Sequence, residues 1–515
     1  MSNNKLAKAA GLIMILTIIS KIMGFFRDAL VANSFGATFE TDAYNMAITI
    51  PEILFAIFSL AITTTFIPIL SDCIKNKGKE EMFKFANNII NILLIISIIL
   101  TIVGWIMAPE LVRIIAPKFK GETYYLTITL IKISVINIIF MSLNGAYTAV
   151  LQTLDDFSSP ALVGIMLNLP IIIYLLLGAQ AGVIGLTIAT VVGNALKMII
   201  QIPWLYKNGY RYRLIVNPKD ERIAKILLLI LPVIVGAGAN QLNAIINQSI
   251  GSGLPEGSIS SLNYGGRITD MIYVSFASAI VTVVYPALSR EGNSDNYDNF
   301  KFYITKAINT MSLIMIPCTV GLIVLSTPLI TLLFKHGAFD DRAVSMTTAV
   351  LIAYSVGIPF YGVRDVFNRS LYALKDTKAS TINGIIGIVV NIISNILIVK
   401  FLGVGGLALS TSIAAITTTF LLWKSLSNKI GKLKIKLMMN TTFKITAASI
   451  IMGIGTKITY VIISSFIKGI YGNIAGIISA FITSLLIYAL ALKLMKVNEF
   501  EDFLKEIMKK TRKRI

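Results

Sequence analysis

Uncharged or nearly uncharged apolar runs, each long enough to cross a bilayer at about 20 residues, recur along the whole chain and are separated by short polar segments. Strict apolar–polar alternation over about ten residues, the mark of a membrane β-barrel, is absent. The pattern predicts an all-α polytopic membrane protein with about fourteen transmembrane helices. The predicted spans are 8–34, 40–70, 84–110, 123–152, 158–178, 182–206, 222–251, 257–288, 303–327, 343–373, 379–400, 404–424, 443–466 and 470–495. Prolines at positions 51, 170, 232, 317 and 359 fall inside spans, where they kink helices.

Composition agrees. The 515 residues are 55% hydrophobic and 14% charged, against roughly 25% charged in soluble domains. The net charge of +20 would suit nucleic acid, but its distribution does not. Most Lys and Arg residues lie on one side of the predicted topology, in 75–84, 207–225, 424–444 and the tail 493–514. The positive-inside rule then places both termini in the cytoplasm. A membrane is the expected location, with no nucleic-acid partner. The basic tail reads as a topology anchor, with anionic headgroups as the functional alternative. The start of the chain (Lys5, Lys8, then an apolar run) lacks a small-residue cleavage site and reads as a retained first helix. Two cysteines, Cys73 and Cys318, do not make a disulfide framework, and a single histidine, His336, argues against a histidine metal site. No GxxxxGK[ST] loop or catalytic constellation is present, which points to a transporter rather than an enzyme or an ATP-driven pump. No cofactor or metal is expected.

Four pairs of segments repeat in the same order at offsets of 218–221 residues: PILS at 68–71 with PALS at 286–289, APELVRII at 108–115 with TPLITLLF at 327–334, LQTLDD at 151–156 with LYALKD at 371–376, and GVIGLTIAT at 182–190 with GVGGLALST at 403–411. One offset shared by four pairs implies a duplication. The offset covers six spans, so the two copies share one orientation and are expected as lobes related by a pseudo-twofold axis along the membrane normal. The expected division is 1–207 for the first lobe, 208–428 for the second, 429–496 for two additional helices and 497–515 for a basic tail.

Charges inside the spans are the candidate chemistry, because each costs about 2.5–3.5 kcal/mol at the centre of a lipid-facing helix. Lys21, Arg27, Asp28, Glu52, Arg267 and Asp270 all fall roughly 10–20 Å from the outer helix ends at 1.5 Å per residue. Charges at one depth in both copies point to a water-filled cavity, with mutual pairing inside the protein as the alternative. Arginine suits a phosphate, whose oxygens match its planar fork. Arg27, Arg267 and Lys21 are therefore the candidate substrate contacts. Asp28, Glu52, Asp270, Asp42 and Ser260 are the candidate charge partners or cavity lining. Arg267 and Asp270 are i, i+3 and share a face, whereas Arg27 is turned about 100° from Asp28, which makes Asp28 a strut to a neighbouring helix. Lys132 lies nearer the rim and is as well placed to snorkel. Asn247, Asn391, Asn395 and Thr411 offer oxygens for a sodium ion. Residues of this kind also join helices by hydrogen bonds, and both readings stand. Arg364 and Arg369 lie toward the cytoplasmic end as lobe anchors or headgroup contacts.

The string SKIMGFFRDALVANSFGATFETDAYNMAITIP (20–51) resembles the first helices of the MurJ (MviN) family of lipid II flippases, in the MOP exporter superfamily. TTFIPILSD (64–72), DDFSSPALVGIMLN (155–168), NYGGRITDM (263–271) and NRSLYALKDTKAS (368–380) extend the resemblance over nearly the whole chain. The resemblance implies a twelve-plus-two helix architecture and transport of the undecaprenyl-diphosphate-linked peptidoglycan precursor from the inner to the outer leaflet by alternating access. It further implies cavity cations at Arg27 and Arg267, a lipid-tail groove at the last two helices, and coupling to membrane potential or, in some members, Na+. A monomer in the bacterial cytoplasmic membrane, associated with the cell-wall synthesis machinery, is the expected state. Phe55 and Ala56 stand where many members carry arginines, and Leu60 where they carry glutamate. With Lys21, Arg27, Lys132 and Arg267 set against Asp28, Glu52 and Asp270, the cavity is less cationic than the family pattern. A flippase for another polyprenyl-diphosphate-linked saccharide and a cation-coupled, MATE-like exporter are the competing functions.

Overall fold

A computed structural model describes residues 3–292, 297–433 and 435–502 together with Lys505. The rest of the basic tail, and the side chains of Lys5, Lys8, Leu60, Pro232 and Asn240, lie outside the described residues.

The described chain is helical, with no strand. It forms two compact units. The first comprises Met1–Ser260 with His336–Asp340. It holds α1 (Asn3–Phe35), α2 (Phe39–Ala61), a π-helical turn (Ile62–Phe66), α3 (Ile67–Ile106), α4 (Ala108–Ile115), α5 (Gly121–Ser134), α6 (Asn137–Thr153), α7 (Ser158–Leu176), α8 (Gly182–Ile199), α9 (Ile202–Lys207) and α10 (Glu221–Gly251). The second comprises Ser261–Lys335 and Asp341–Ile515. It holds all but the first turn of α11 (Ser258–Glu291), then α12 (Asp298–Val324), α13 (Ser326–Phe334), α14 (Asp341–Ala373), α15 (Thr377–Ile430), α16 (Ile435–Phe466) and α17 (Gly469–Leu494).

Ten described helical segments are long and apolar enough to cross a membrane. One of them, α15, covers the two predicted spans on either side of Gly403, where φ is 53° and ψ is −133°. Only glycine adopts that backbone without strain. The predicted spans 8–34 and 222–251 fall on α1 and α10, and 40–70 falls on α2, its π-helical turn and the first turn of α3. Residues 208–251, which the repeat places at the start of the second lobe, include α10, which packs on α2 within the first compact unit.

The repeat is visible as local geometry in each unit. Asp155 and Lys375 both take φ of 59°. In both places the following amide bonds back across the helix end, Asp156 N to Leu151 O at 2.9 Å and Asp376 N to Leu371 O at 2.8 Å. This is the left-handed helix stop, here without a glycine. Each aspartate side chain then accepts an amide at the start of the next helix. Asp156 Oδ1 accepts from Ser158 N at 3.2 Å, and Asp376 Oδ1 accepts from Ala379 N at 2.9 Å.

Each unit is held by buried apolar side chains and by small residues at helix crossings. In the first, Met46, Ala47, Leu130, Ile131, Ile171 and Leu186 lie in one core. There α1 packs on α7, where a Cβ on Gly164 would stand 2.0 Å from Ser20 Oγ. In the second, α16 and α17 pack together. They join α12 and α13 through Tyr488 OH to Leu313 O at 2.8 Å and Asn473 Nδ2 to Pro328 O at 3.1 Å.

Candidate functional site

The first unit gathers charge around α1. Arg27 turns back along its own helix, with Nε and Nη2 3.0 and 2.7 Å from Asp28 Oδ1, and both side chains are mostly buried. The sequence reading made Asp28 a strut to another helix. A long guanidinium stem spans the 100° between adjacent positions, so the two also pair with each other. The helix is seated by Asn168 of α7, whose Nδ2 reaches Ser20 O at 3.4 Å and Gly164 O at 2.8 Å. The charge of Glu52 on α2 acts on Arg27. Lys21, about 9 Å along the axis from Arg27, is exposed.

Sequence reading passed over three residues here. Lys197 of α8 feels the charge of Glu52 and donates to Asn194 Oδ1 at 3.3 Å, and Asn194 donates on to Asn137 Oδ1 at 3.1 Å. The hydroxyls of Tyr44 and Thr190 share a hydrogen bond of 2.9 Å. Lys197 carries the signal that singled out Arg27, a full charge inside an apolar span. Tyr44 and Thr190 carry no such signal.

Asp42 and Ser260 are brought together and buried. Asp42 Oδ2 accepts from Gly257 N at 2.7 Å, and Oδ1 accepts from Ser260 N at 2.8 Å and Ser260 Oγ at 2.7 Å. The carboxylate thus caps the first turn of α11, where free amides and the helix dipole favour an anion. Gly257 makes this approach with φ of 82°, and any Cβ would stand 2.0 Å from Ala37 O.

In the second unit Arg267 and Asp270 lie exposed on α11, and the arginine's charge acts on the aspartate. One turn on, the Tyr273 hydroxyl donates to Asp365 of α14. The Tyr273 and Tyr361 rings meet edge to face with centroids 6.1 Å apart. Arg364 stands 5.5 Å over Tyr361, and Arg369 stands 5.3 Å over Tyr285. Asp365 and the two tyrosines were missed because tyrosine is unremarkable in an apolar span and Asp365 sits beside Arg364 as an ordinary helix-end pair.

The candidate ion ligands do not all share a unit. Asn247 lies on α10 in the first. In the second, Asn395 Nδ2 donates to Asn391 Oδ1 at 3.2 Å and Asn391 Nδ2 to Thr411 Oγ1 at 3.4 Å, a seam joining the two halves of α15. No group of three or more His, Cys, Asp or Glu side chains suited to a metal occurs among the described residues. Lys132 stands 4.7 Å over the ring of Trp105, and Phe55 packs against Gly145 on α6.

Two helical units, each duplicating the other's local motifs and each holding charges inside membrane spans, define a polytopic membrane transporter. The family model for lipid II flippase MurJ matches residues 31–480. A relative from Buchnera aphidicola subsp. Baizongia pistaciae, named probable lipid II flippase MurJ, is 32% identical over 85% of this chain and 86% of its own length. One from Thermosipho africanus, named lipid II flippase MurJ, is 32% identical over 79% and 82%. A solved structure described as lipid II flippase MurJ in an inward closed conformation superposes with a TM-score of 0.77 at 30% identity, covering 94% of this chain and 99% of that one. An inward-facing MATE transporter of the MOP superfamily shares the fold, with a TM-score of 0.68 at 17% identity over 83% of this chain. The chain belongs to the lipid II flippase MurJ family.

Proposed function

We propose that this protein moves lipid II across the cytoplasmic membrane by alternating access, with both termini in the cytoplasm. The observation that carries the residue assignment is the Arg27–Asp28 pair, a largely buried guanidinium oriented by its neighbour and acted on by the charge of Glu52. Arg27 in the first unit and Arg267 in the second each supply a cation for the diphosphate, whose oxygens accept paired hydrogen bonds from guanidinium. Lys21 and Lys197 add charge. Asp28, Glu52 and Asp270 orient these cations, and Asp42 with Ser260 forms a structural clasp. The functional division remains two six-helix lobes, 1–207 and 208–428, with 429–496 receiving the lipid tail.

Asn391, Asn395 and Thr411 serve as a helix seam, with membrane potential as the driving force and Na+ coupling as the alternative. The protein is expected to act as a monomer beside the cell-wall synthesis machinery. Complementation of a bacterium depleted of its own MurJ tests the reading. The wild-type gene restores growth, and Arg27→Ala or Arg267→Ala, expressed to the same level, does not. Failure of the well-expressed wild type would overturn lipid II as cargo. Rescue by both variants would overturn the cation assignment.

A further inference from the structure

The connection between α9 and α10 is bound along α3 by three buried asparagines. Asn87 Nδ2 donates to Arg211 O at 3.0 Å, while its Oδ1 accepts from Arg213 N at 2.9 Å and from the Tyr210 hydroxyl at 2.7 Å. Asn91 Nδ2 donates to Arg213 O at 2.9 Å and Ile215 O at 3.0 Å, and its Oδ1 accepts from the Tyr212 hydroxyl at 2.6 Å. Asn88 binds both backbone groups of Asn217, the amide at 2.6 Å and the carbonyl at 2.9 Å. Ile215 N donates to Arg213 O at 3.0 Å, closing a three-residue turn at Leu214.

A loop in water needs no such ladder, because water satisfies its amides and carbonyls. In the apolar region each unmet group is costly, and irregular backbone survives there only where protein groups satisfy it. Depth is read from α3 itself. Residues 85–109 form an uncharged run about 37 Å long at 1.5 Å per residue, a little longer than the roughly 30 Å of a hydrocarbon core. Asn87, Asn88 and Asn91 lie within the first two turns of that run. The ladder therefore stands at the boundary between headgroups and acyl chains.

The surface presented there fits that boundary. Leu214 is 80% exposed and Val216 47%. Trp204, Tyr206 and Tyr212 alternate with Lys207, Arg211 and Arg213, the aromatic and basic mixture of a membrane interface. The Arg211 guanidinium stacks 5.1 Å over Tyr206 and spends one nitrogen on the Tyr206 and Tyr210 carbonyls, each at 2.9 Å. Its remaining N–H groups are left for an anion, and Arg213 is exposed.

We infer that residues 210–217 are an interfacial wedge: Leu214 and Val216 enter the acyl region of the adjacent leaflet, and Arg211 and Arg213 hold the phosphates of anionic lipids. This goes beyond the choice of cargo and is independent of it. The three asparagines supply the backbone partners that immersion withdraws.

The test is a spin label at Leu214→Cys in full-length protein whose Cys73 and Cys318 are alanine, reconstituted in nanodiscs containing phosphatidylglycerol. Collisions with oxygen are expected to exceed those with a water-soluble nickel chelate, as at a lipid-facing control, Leu486→Cys on α17. Behaviour like an aqueous loop control, Lys120→Cys, would overturn immersion. Phosphatidylglycerol retained by purified protein is expected to fall roughly fivefold for each charge removed in Arg211→Gln and Arg213→Gln, with a zwitterionic lipid unaffected. Unchanged or charge-independent retention would overturn the headgroup contact. Asn91→Ala is expected to shift the Leu214 label toward water. Should that variant fail to fold, the label in the asparagine-intact protein still decides immersion.

Discussion

Arg27 and Asp28, adjacent in sequence, form a charge-assisted pair in which Nε and Nη2 of the guanidinium both address one carboxylate oxygen, at 3.0 and 2.7 Å. The outer nitrogen of Arg27 lies beyond this pair, so the arginine is oriented without being fully spent. Arg27→Ala is expected to lower lipid II translocation in proteoliposomes by at least tenfold, since a lost charged contact costs about 1.5–3 kcal/mol. Arg27→Lys should retain an intermediate rate, because an ammonium keeps the charge and loses the fork. Asp28→Asn should cost less than Arg27→Ala. Equal rates for wild type and Arg27→Ala would remove this residue from the mechanism.

Lys197 and Glu52 influence each other within the first unit. Neutralising both is expected to be milder than the two single effects combined, with a coupling of about 0.5–1 kcal/mol in a double-mutant cycle of transport rates. Strict additivity of Lys197→Met and Glu52→Gln would show that the charges act separately.

Asp42 makes three short bonds to Gly257 and Ser260 at the start of α11. Asp42→Ala is expected to destabilise the protein by about 2–3 kcal/mol, because buried amides lose a charged acceptor. Ser260→Ala, which removes one hydroxyl donor, should cost about 1 kcal/mol. Thermal unfolding in detergent reads both, and a larger loss from Ser260→Ala would contradict the capping role.

The aspartates outside the spans predict an acid limb. Lys429 Nζ donates to Asp376 Oδ2 at 2.7 Å, and that bond, with the amide of Ala379, holds the carboxyl below its ordinary value of 3.8. Hydrogen bonds from the Arg222 side chain and amide do the same for Asp220. A depressed carboxyl stabilises the fold fully above the unfolded value and loses that contribution as pH falls through the folded one. Stability should therefore be level from neutral pH to the ordinary carboxylate value and decline below it. Asp376→Asn and Asp220→Asn should each flatten that decline, and melting curves recorded across the acid range check the sign.

Backbone geometry separates two further positions. Gly403→Ala is expected to cost about 1–3 kcal/mol, since its φ of 53° and ψ of −133° suit only glycine. Lys375→Gly should stabilise by up to about 1 kcal/mol, because lysine there holds a φ of 59° that glycine adopts freely. Opposite signs in melting temperature are the expected result.

The long apolar runs, the one-sided distribution of Lys and Arg, and the segment repeat were enough to read the helical membrane class, because hydrocarbon imposes its length and its aversion to charge directly on local composition. The same rule marked Arg27, Arg267 and Asp270 as residues needing partners. What each met was settled by side-chain reach and helix crossing. The glycines and Asn168 that bring α1 against α7, the turn of Arg27 onto Asp28, Lys197 close enough to feel Glu52, the Tyr273–Asp365 contact, and the asparagine ladder under residues 210–217 join positions far apart in the chain or turned apart on a helix. Periodicity reports which face is apolar, but it carries no record of which distant backbone group a buried asparagine will bind. That pairing exists only once the helices have packed, and here it decides whether a polar residue orients a cation, caps a helix or holds a loop.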